Sequence, residues 1–449
     1  MSCRTLDRAQ RPRRRKALPE QSAGRSFGQP GRQAGGRAAI VGAGIVGLSV
    51  AWFLQEAGLD VTVYDRHDVA AGASAGNAGW ICPAMVTPLP EPSALRYGLA
   101  SLFRPNSPFR IAPTALPANG LFLAAFATHC TTRQWRAGVA GYSQLAGLAL
   151  DSFEALTKGG VTASVEDSAM YTAFERPEHA DLLLHELQAV AEAGLSFTVD
   201  ELSEADLRRE QPLLGSRARH GLRIGGQKFT QPLEFVRSLA SAVHSRGGTL
   251  VTSAEVSAVS SRAGAGARLE VRRASEDRAA ADFDVCILAN GAWISTLARR
   301  VGVRTPVQAG RGYSFTVLTP EPLGQPLYLP APRVACTPTR GGMRVAGTME
   351  FRGPDDPLDE RRIAAIVRSA AGFLPRVDWT TKSEPWVGPR PVTTDGLPII
   401  GQTNVANVFV AGGHGMWGLT LGPATGRVLA EMIVTGQRPP SLMPFDPLR

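Results

Sequence analysis

Cysteine is scarce in this 449-residue chain, with five residues at 3, 82, 130, 286 and 336. The number is odd, no two form a CxxC pair and none is flanked by histidine at ligand spacing. Neither a disulfide framework nor a metal site is indicated, and a reducing cytoplasm is the expected setting. Long apolar runs are also missing. The stretch 121–128 falls well short of the roughly 18 residues that a membrane span needs, so no transmembrane segment is expected. Positive charge is concentrated at one end. Residues 1–36 hold nine Arg and Lys against Asp7 and Glu20, a surplus of seven out of a net +9, and the rest of the chain is close to neutral. That distribution argues against a nucleic-acid-binding body.

The same segment has no apolar periodic face, buries too little to offset the entropy of ordering, and is predicted to be disordered. Arg13-Arg14 is not followed by the apolar stretch of an export signal. A solvated tail, a misplaced start and a weak electrostatic tether to anionic lipid at the inner face of the cell membrane all fit it. The whole chain is 44% hydrophobic, and the part beyond this segment is long enough for a large core, divided between two domains.

What is present begins at residue 38. Ala-Ala-Ile-Val leads into Gly42-Ala-Gly44-Ile45-Val46-Gly47, then an apolar helix to Gly58, then Val61-Thr-Val-Tyr-Asp65. This is strand, glycine turn, helix, strand. Gly42 permits the tight turn, Gly44 lets the backbone approach a pyrophosphate, and Gly47 lets the helix pack closely. Asp65 ends the second strand, where its carboxylate accepts from ribose hydroxyls and repels a 2′-phosphate, despite the adjacent Arg66.

Three further segments favour a flavin over a nicotinamide. The loop Gly72-Ala-Ser74-Ala-Gly76-Asn77-Ala78-Gly79 lacks bulk and suits close passage past a planar ring. Apolar strands at 250–259 and 283–288, the latter ending at Asn290-Gly291, return the chain to the dinucleotide sheet. Near the C-terminus, 407–412 reads as a strand, followed by Gly413-His414-Gly415-Met416-Trp417-Gly418-Leu419-Thr420 and an apolar helix, with Pro423 expected in its first turn. Amides ahead of that helix favour negative charge, which reduced flavin carries at N1 and the C2 carbonyl. Reduced nicotinamide is neutral and has no use for them.

Taken together, these stretches resemble the D-amino-acid oxidase superfamily, most closely the bacterial FAD-dependent D-amino-acid dehydrogenases of small-subunit type. Phe229-Thr-Gln-Pro232, Ala289-Asn-Gly-Ala-Trp293, Gly310-Arg-Gly-Tyr313-Ser314, Gly347-Thr-Met-Glu350 and Trp386-Val-Gly-Pro-Arg390-Pro391 extend the similarity in order over 38–437. The resemblance implies an α/β fold: an FAD-binding Rossmann-like domain of glutathione-reductase type (37–90, 229–305, 385–449) interleaved with an α+β substrate domain (91–228, 306–384). The latter is built on a mixed or antiparallel sheet, with strands near 168–174, 311–318, 334–339 and 343–349. It also implies FAD contacts at Gly42, Gly44, Ile45, Val46, Gly47, Asp65, Arg66, Ser74, Asn77, Ala78, Gly79, Val256, Asn290, Gly291, Gly415, Gly418, Leu419 and Thr420. FAD is expected to be non-covalent, because the attachment position of the family aligns near Gly341 or Gly342 and Cys336 lies on the preceding strand.

For the substrate, Arg390 is the expected grip on a carboxylate, since a guanidinium makes two parallel charge-assisted bonds. The alternative is an arginine that satisfies carbonyls near Pro389 and Pro391. Tyr313 is expected either to donate to the same carboxylate or to pack in a core, and His414 either to lie by the ring or substrate or to be structural. Where relatives resembling glycine oxidase carry a basic residue, this chain has Met416, which points to a more apolar pocket. The expected reaction is hydride transfer from Cα of a D-amino acid to flavin N5, giving an imine that hydrolyses to a 2-oxo acid and ammonia. The electron acceptor is expected to be a quinone or carrier protein rather than oxygen. The alternatives are an oxygen-using oxidase of sarcosine, proline or glycine-like amines, and a non-catalytic flavin-binding subunit of an amine dehydrogenase.

Overall fold

The computed structural model describes residues 35–93, 109–111, 116–262, 266–273 and 279–449. All but Gly35 and Gly36 of the basic tail lies outside these residues.

A six-stranded sheet runs in the order Ile399–Gln402, Val408–Gly412, Val285–Leu288, Arg37–Val41, Asp60–Tyr64, Thr249–Val251. Its neighbours are parallel except for the antiparallel edge pair Ile399–Gln402 and Val408–Gly412. Parallel strands need cover on both faces, which is why 38–41 is continuously apolar. Ala38 and Ile40 enter a core shared with helices Ile45–Glu56, Pro232–Ser245 and Gly418–Thr435. Ala39 and Val41 face the opposite way, onto a three-stranded antiparallel sheet formed by Ala254–Ser261, Ala267–Arg273 and Ala279–Phe283. Gly426 brings the first and last of those helices together: a Cβ there would lie 2.6 Å from the carbonyl carbon of Ser49.

A second, ten-stranded sheet is mixed and mostly antiparallel. Val307–Leu318, next to one edge, is hydrogen-bonded on one side to the edge strand Ser383–Thr393 and on the other to Gly342–Phe351. One face packs against helix Glu360–Ala370 in a separate core. The strands expected near 168–174, 311–318, 334–339 and 343–349 are all present, three of them longer, as Val165–Phe174, Val307–Leu318 and Gly342–Phe351.

Three details differ from expectation. The strand read over 250–259 is two strands in different sheets, because Ser253 turns left-handed at φ +52° and donates its amide to the His67 carbonyl. Pro423 is not in the first turn. Its helix starts at Gly418, so the proline sits one turn inside, where it removes an amide from the ladder. Strands Trp80–Ile81 and Ser383–Thr393, placed by sequence largely with the dinucleotide part, hydrogen-bond into the ten-stranded sheet. Among the described residues no helix is long and apolar enough to cross a membrane, and no group of His, Cys, Asp and Glu is arranged to hold a metal.

Candidate cofactor and substrate site

Both sheets contribute to a cavity of about 450 Å³. It begins at the first glycine turn. Gly42 has φ +115° and its amide donates to the Tyr64 carbonyl at 2.7 Å; a Cβ there would stand 2.5 Å from the Ala289 carbonyl oxygen. Asp65 holds the turn shut by accepting from the amides of Ala43 and His67, each at 2.8 Å. Ser74 Oγ accepts from the Ile45 amide at 3.1 Å. The amides of Gly44, Val46 and Gly47 have no acceptor among the described residues. Two of these donors, on Gly44 and Val46, line the cavity at the positive end of a helix and suit a phosphate.

Every residue expected at the cofactor lines this cavity except Gly47 and Gly79. Those two are glycine for packing: a Cβ on Gly47 would meet the Gly42 carbonyl oxygen at 2.0 Å, and one on Gly79, at φ +89°, the Thr230 carbonyl oxygen at 2.3 Å. The small loop 72–79 is not simply clearance for a ring. Gly76 makes room for Trp386, whose indole a Cβ would meet at 2.0 Å, and Gly72 stands beside Trp293.

Further along the cavity, Asn290 Oδ1 is buried without a partner among the described residues. Arg66 lies 4.0 Å over the Trp293 ring, and Nη2 donates to Asp355 Oδ1 at 2.6 Å; Trp293 Nε1 donates to Asp355 Oδ2 at 3.0 Å. Burial works against the charge of Asp355, yet these hydrogen bonds hold its carboxyl below the usual value. The loop carrying Asp355 is anchored from beneath by the buried Arg311, which donates to the carbonyls of Asp356 and Pro357. This loop straps the second sheet to the first across residues that line the cavity.

Beside the first turn, where a Cβ on Gly422 would meet Ile45, the N-terminus of helix Gly418–Thr435 supplies a second set of donors. The amides of Gly418, Leu419 and Thr420 line the cavity and have no acceptor among the described residues. Helix polarity makes this end favourable for developing negative charge.

Arg390 closes the remaining end. Nη1 donates to the Thr348 carbonyl at 2.9 Å, and no carboxylate among the described residues pairs with it. Burial draws its pKa down to about 10, which still leaves it protonated at neutral pH as an uncompensated cation. Thr348 was not anticipated as a site residue. It takes φ +59°, an outlier for a β-branched side chain, and its Oγ1 is buried without a partner. No local sequence signal marks such a backbone. Strand alternation does account for Tyr313, which is a correction. Its side chain is fully buried in the far core and donates to Glu350 Oε2 at 2.8 Å, whereas its neighbours Gly312 and Ser314 face the cavity side. A Cβ on Gly312 would strike Arg390 Cζ at 2.1 Å, so glycine there makes room for the guanidinium. None of the described cysteines lines the cavity; Cys336 is buried in the far core, and burial pushes its thiol up to about 12.

His414 borders the cavity but is 1% exposed, with Nε2 at 2.9 Å from Thr425 Oγ1. Burial lowers its pKa to about 3, so the ring is neutral at working pH. An unfolded imidazole takes its proton as pH falls through about 6.5, so between that value and about 3 the unfolded chain binds more protons and acid destabilises the fold. In urea unfolding, His414→Gln should lose about 2 kcal/mol less than the unsubstituted protein between pH 7 and pH 5. Equal acid sensitivity would mean that the folded histidine is charged.

The sequence profile of the DAO family, described as FAD dependent oxidoreductase, matches residues 37–432. A D-amino acid dehydrogenase of Xanthobacter autotrophicus is 30% identical over 419 residues, covering 91% of this chain and 97% of that one. Its counterpart in Rhizorhabdus wittichii is 29% identical over 408 residues, covering 89% and 96%. Among solved structures, glycine oxidase from Geobacillus kaustophilus superposes with a TM-score of 0.69 at 22% identity, covering 92% of this chain and 99% of that one. At that identity the likeness speaks for the fold alone.

Proposed function

The chain belongs to the DAO family of FAD-dependent oxidoreductases, and on that footing we propose that it oxidises the Cα–N bond of a D-amino acid. The observation that carries the substrate class is Arg390, a half-buried cation with no counter-ion among the described residues, lining the cavity and ready for a carboxylate. The D preference follows the curated relatives, which are named D-amino acid dehydrogenases.

The residues present fit FAD. The free amides of Gly44 and Val46 would hold the pyrophosphate, Asp65 a ribose hydroxyl, and the amides at 418–420 the N1 and C2 carbonyl edge. When bound, FAD supplies the acceptor for the hydride leaving Cα. Arg390 fixes the substrate by its carboxylate and so orients Cα, a form of proximity that is worth up to roughly 7–11 kcal/mol for well-aligned reactants. The lining acids, Asp65 and Glu255, lie beside the turn and Val256, away from Arg390. His414 is already neutral. The substrate amine therefore arrives deprotonated from solution, and its lone pair assists the departure of the Cα hydrogen. Release and hydrolysis of the imine give a 2-oxo acid and ammonia, with electrons passing to a quinone or carrier protein.

Anaerobic mixing of the FAD-loaded protein with D-alanine or D-proline should bleach the flavin absorbance, and their L-enantiomers should act far more slowly. An unchanged spectrum across a panel of D-amino acids would overturn the substrate class. Rapid peroxide release in aerated buffer would overturn the assignment of the acceptor.

A further inference from the structure

A second guanidinium lines the substrate end of the cavity, and unlike Arg390 it is paired. Arg333 precedes Val334, which pairs with Gly347, the residue before the Thr348 whose carbonyl receives Arg390. The two arginines therefore flank the same two residues of one strand. Arg333 is held in a left-handed backbone conformation at φ +53°, one that non-glycine residues rarely adopt without a compensating role. Its Nη2 donates to Glu91 Oε1 at 3.2 Å; the Glu91 side chain is 12% exposed, while that of Arg333 keeps 38% of its surface accessible. Ser93 Oγ also donates to Glu91, and Glu186 is hydrogen-bonded to Glu91. Burial and the charge of Glu91 push the Glu186 carboxyl up to about 8, so at neutral pH Glu186 carries the proton between them. Glu91 is thereby the carboxylate paired with Arg333. Around them Met85, Leu89, Met416 and Trp417 give the cavity an apolar wall.

We propose that Glu91, backed by Glu186, sets the side-chain preference by cancelling Arg333, so that the site takes amino acids with uncharged side chains. The inference rests on the amino-acid reading above. A substrate anchored at Arg390 through one carboxylate would bring a second one toward Arg333 only to meet the charge of Glu91. A cationic side chain would meet Arg333. Without the two carboxylates, Arg333 becomes a second anion site, and dicarboxylic amino acids become favoured.

The test uses the FAD-loaded protein, its E91Q/E186Q variant and the triple variant that adds R333Q. Both glutamates are changed because in E91Q alone Glu186 loses the neighbour that keeps it protonated and can take over as counter-ion. The ratio of kcat/KM for D-glutamate over D-methionine should rise about tenfold in the double variant (~1.4 kcal/mol) and fall back in the triple. Redox-inert ligands give a reading independent of turnover. In flavin-absorbance titrations, the affinity ratio of glutarate to butyrate should shift in the same way, even if no amino acid reduces the flavin. Failure of the substrate reading is thereby separated from failure of this one. An unchanged glutarate-to-butyrate ratio in a double variant that binds butyrate normally overturns the proposal. Should that variant not fold, R333Q alone removes the guanidinium that a basic side chain would meet and should raise D-lysine relative to D-methionine about tenfold; no change overturns the proposal equally.

Discussion

Replacing Arg390 by alanine lowers kcat/KM for the preferred amino acid by about 10³-fold while the flavin stays bound. Two charge-assisted hydrogen bonds to a carboxylate are worth roughly 4 kcal/mol together, which corresponds to that factor. The loss falls mainly on KM, because the carboxylate is held alike before and during reaction. The guanidinium can also be displaced without being removed. A methyl group on Gly312 would stand 2.1 Å from Arg390 Cζ, and the flexible end of the arginine is what gives way. Gly312→Ala should therefore fold, keep its yellow colour and lose about 10²-fold in kcat/KM through misplacement alone. Steady-state kinetics beside the flavin spectrum read both variants. Normal turnover in Arg390→Ala would remove this residue from the substrate site.

The second large effect is expected at Gly42. Alanine there must adopt φ +115° and place its methyl 2.5 Å from the Ala289 carbonyl oxygen, with backbone on both sides of the clash. The turn has to open, and the amides of Gly44 and Val46 then no longer converge. Gly42→Ala should purify colourless or nearly so, with FAD affinity in fluorescence titration at least about 100-fold weaker and stability lowered by several kcal/mol. FAD retention close to that of the unsubstituted protein would mean that the pyrophosphate lies elsewhere.

The parts of this site that were legible in the sequence are those whose chemistry is local. The run 38–41, the spaced glycines, the following helix and Asp65 make one contiguous unit, and each position has a physical reason that neighbouring residues reveal. Long-range facing was harder to read. Tyr313 and Gly312 are adjacent, and only pairing with both flanking strands decides that the glycine faces the cavity and the tyrosine faces away. Arg390 was recognisable, but that no carboxylate among the described residues pairs with it was not, because that depends on residues far away in the chain. Positive φ at Ser253, Arg333 and Thr348 left no mark on residue type, since none is glycine or asparagine. The indoles of Trp293 and Trp386 filled space that small residues had left open for a reason unrelated to the ring.

The strands of the six-stranded sheet come from residues 37–64, 249–251, 285–288 and 399–412, with all the strands of the ten-stranded sheet threaded between them. Neither sheet can be excised, duplicated or traded with another gene by a single crossover, because every such junction would split both. Inheritance is therefore all or nothing for this architecture. New substrate preferences must accumulate one side chain at a time along the cavity wall.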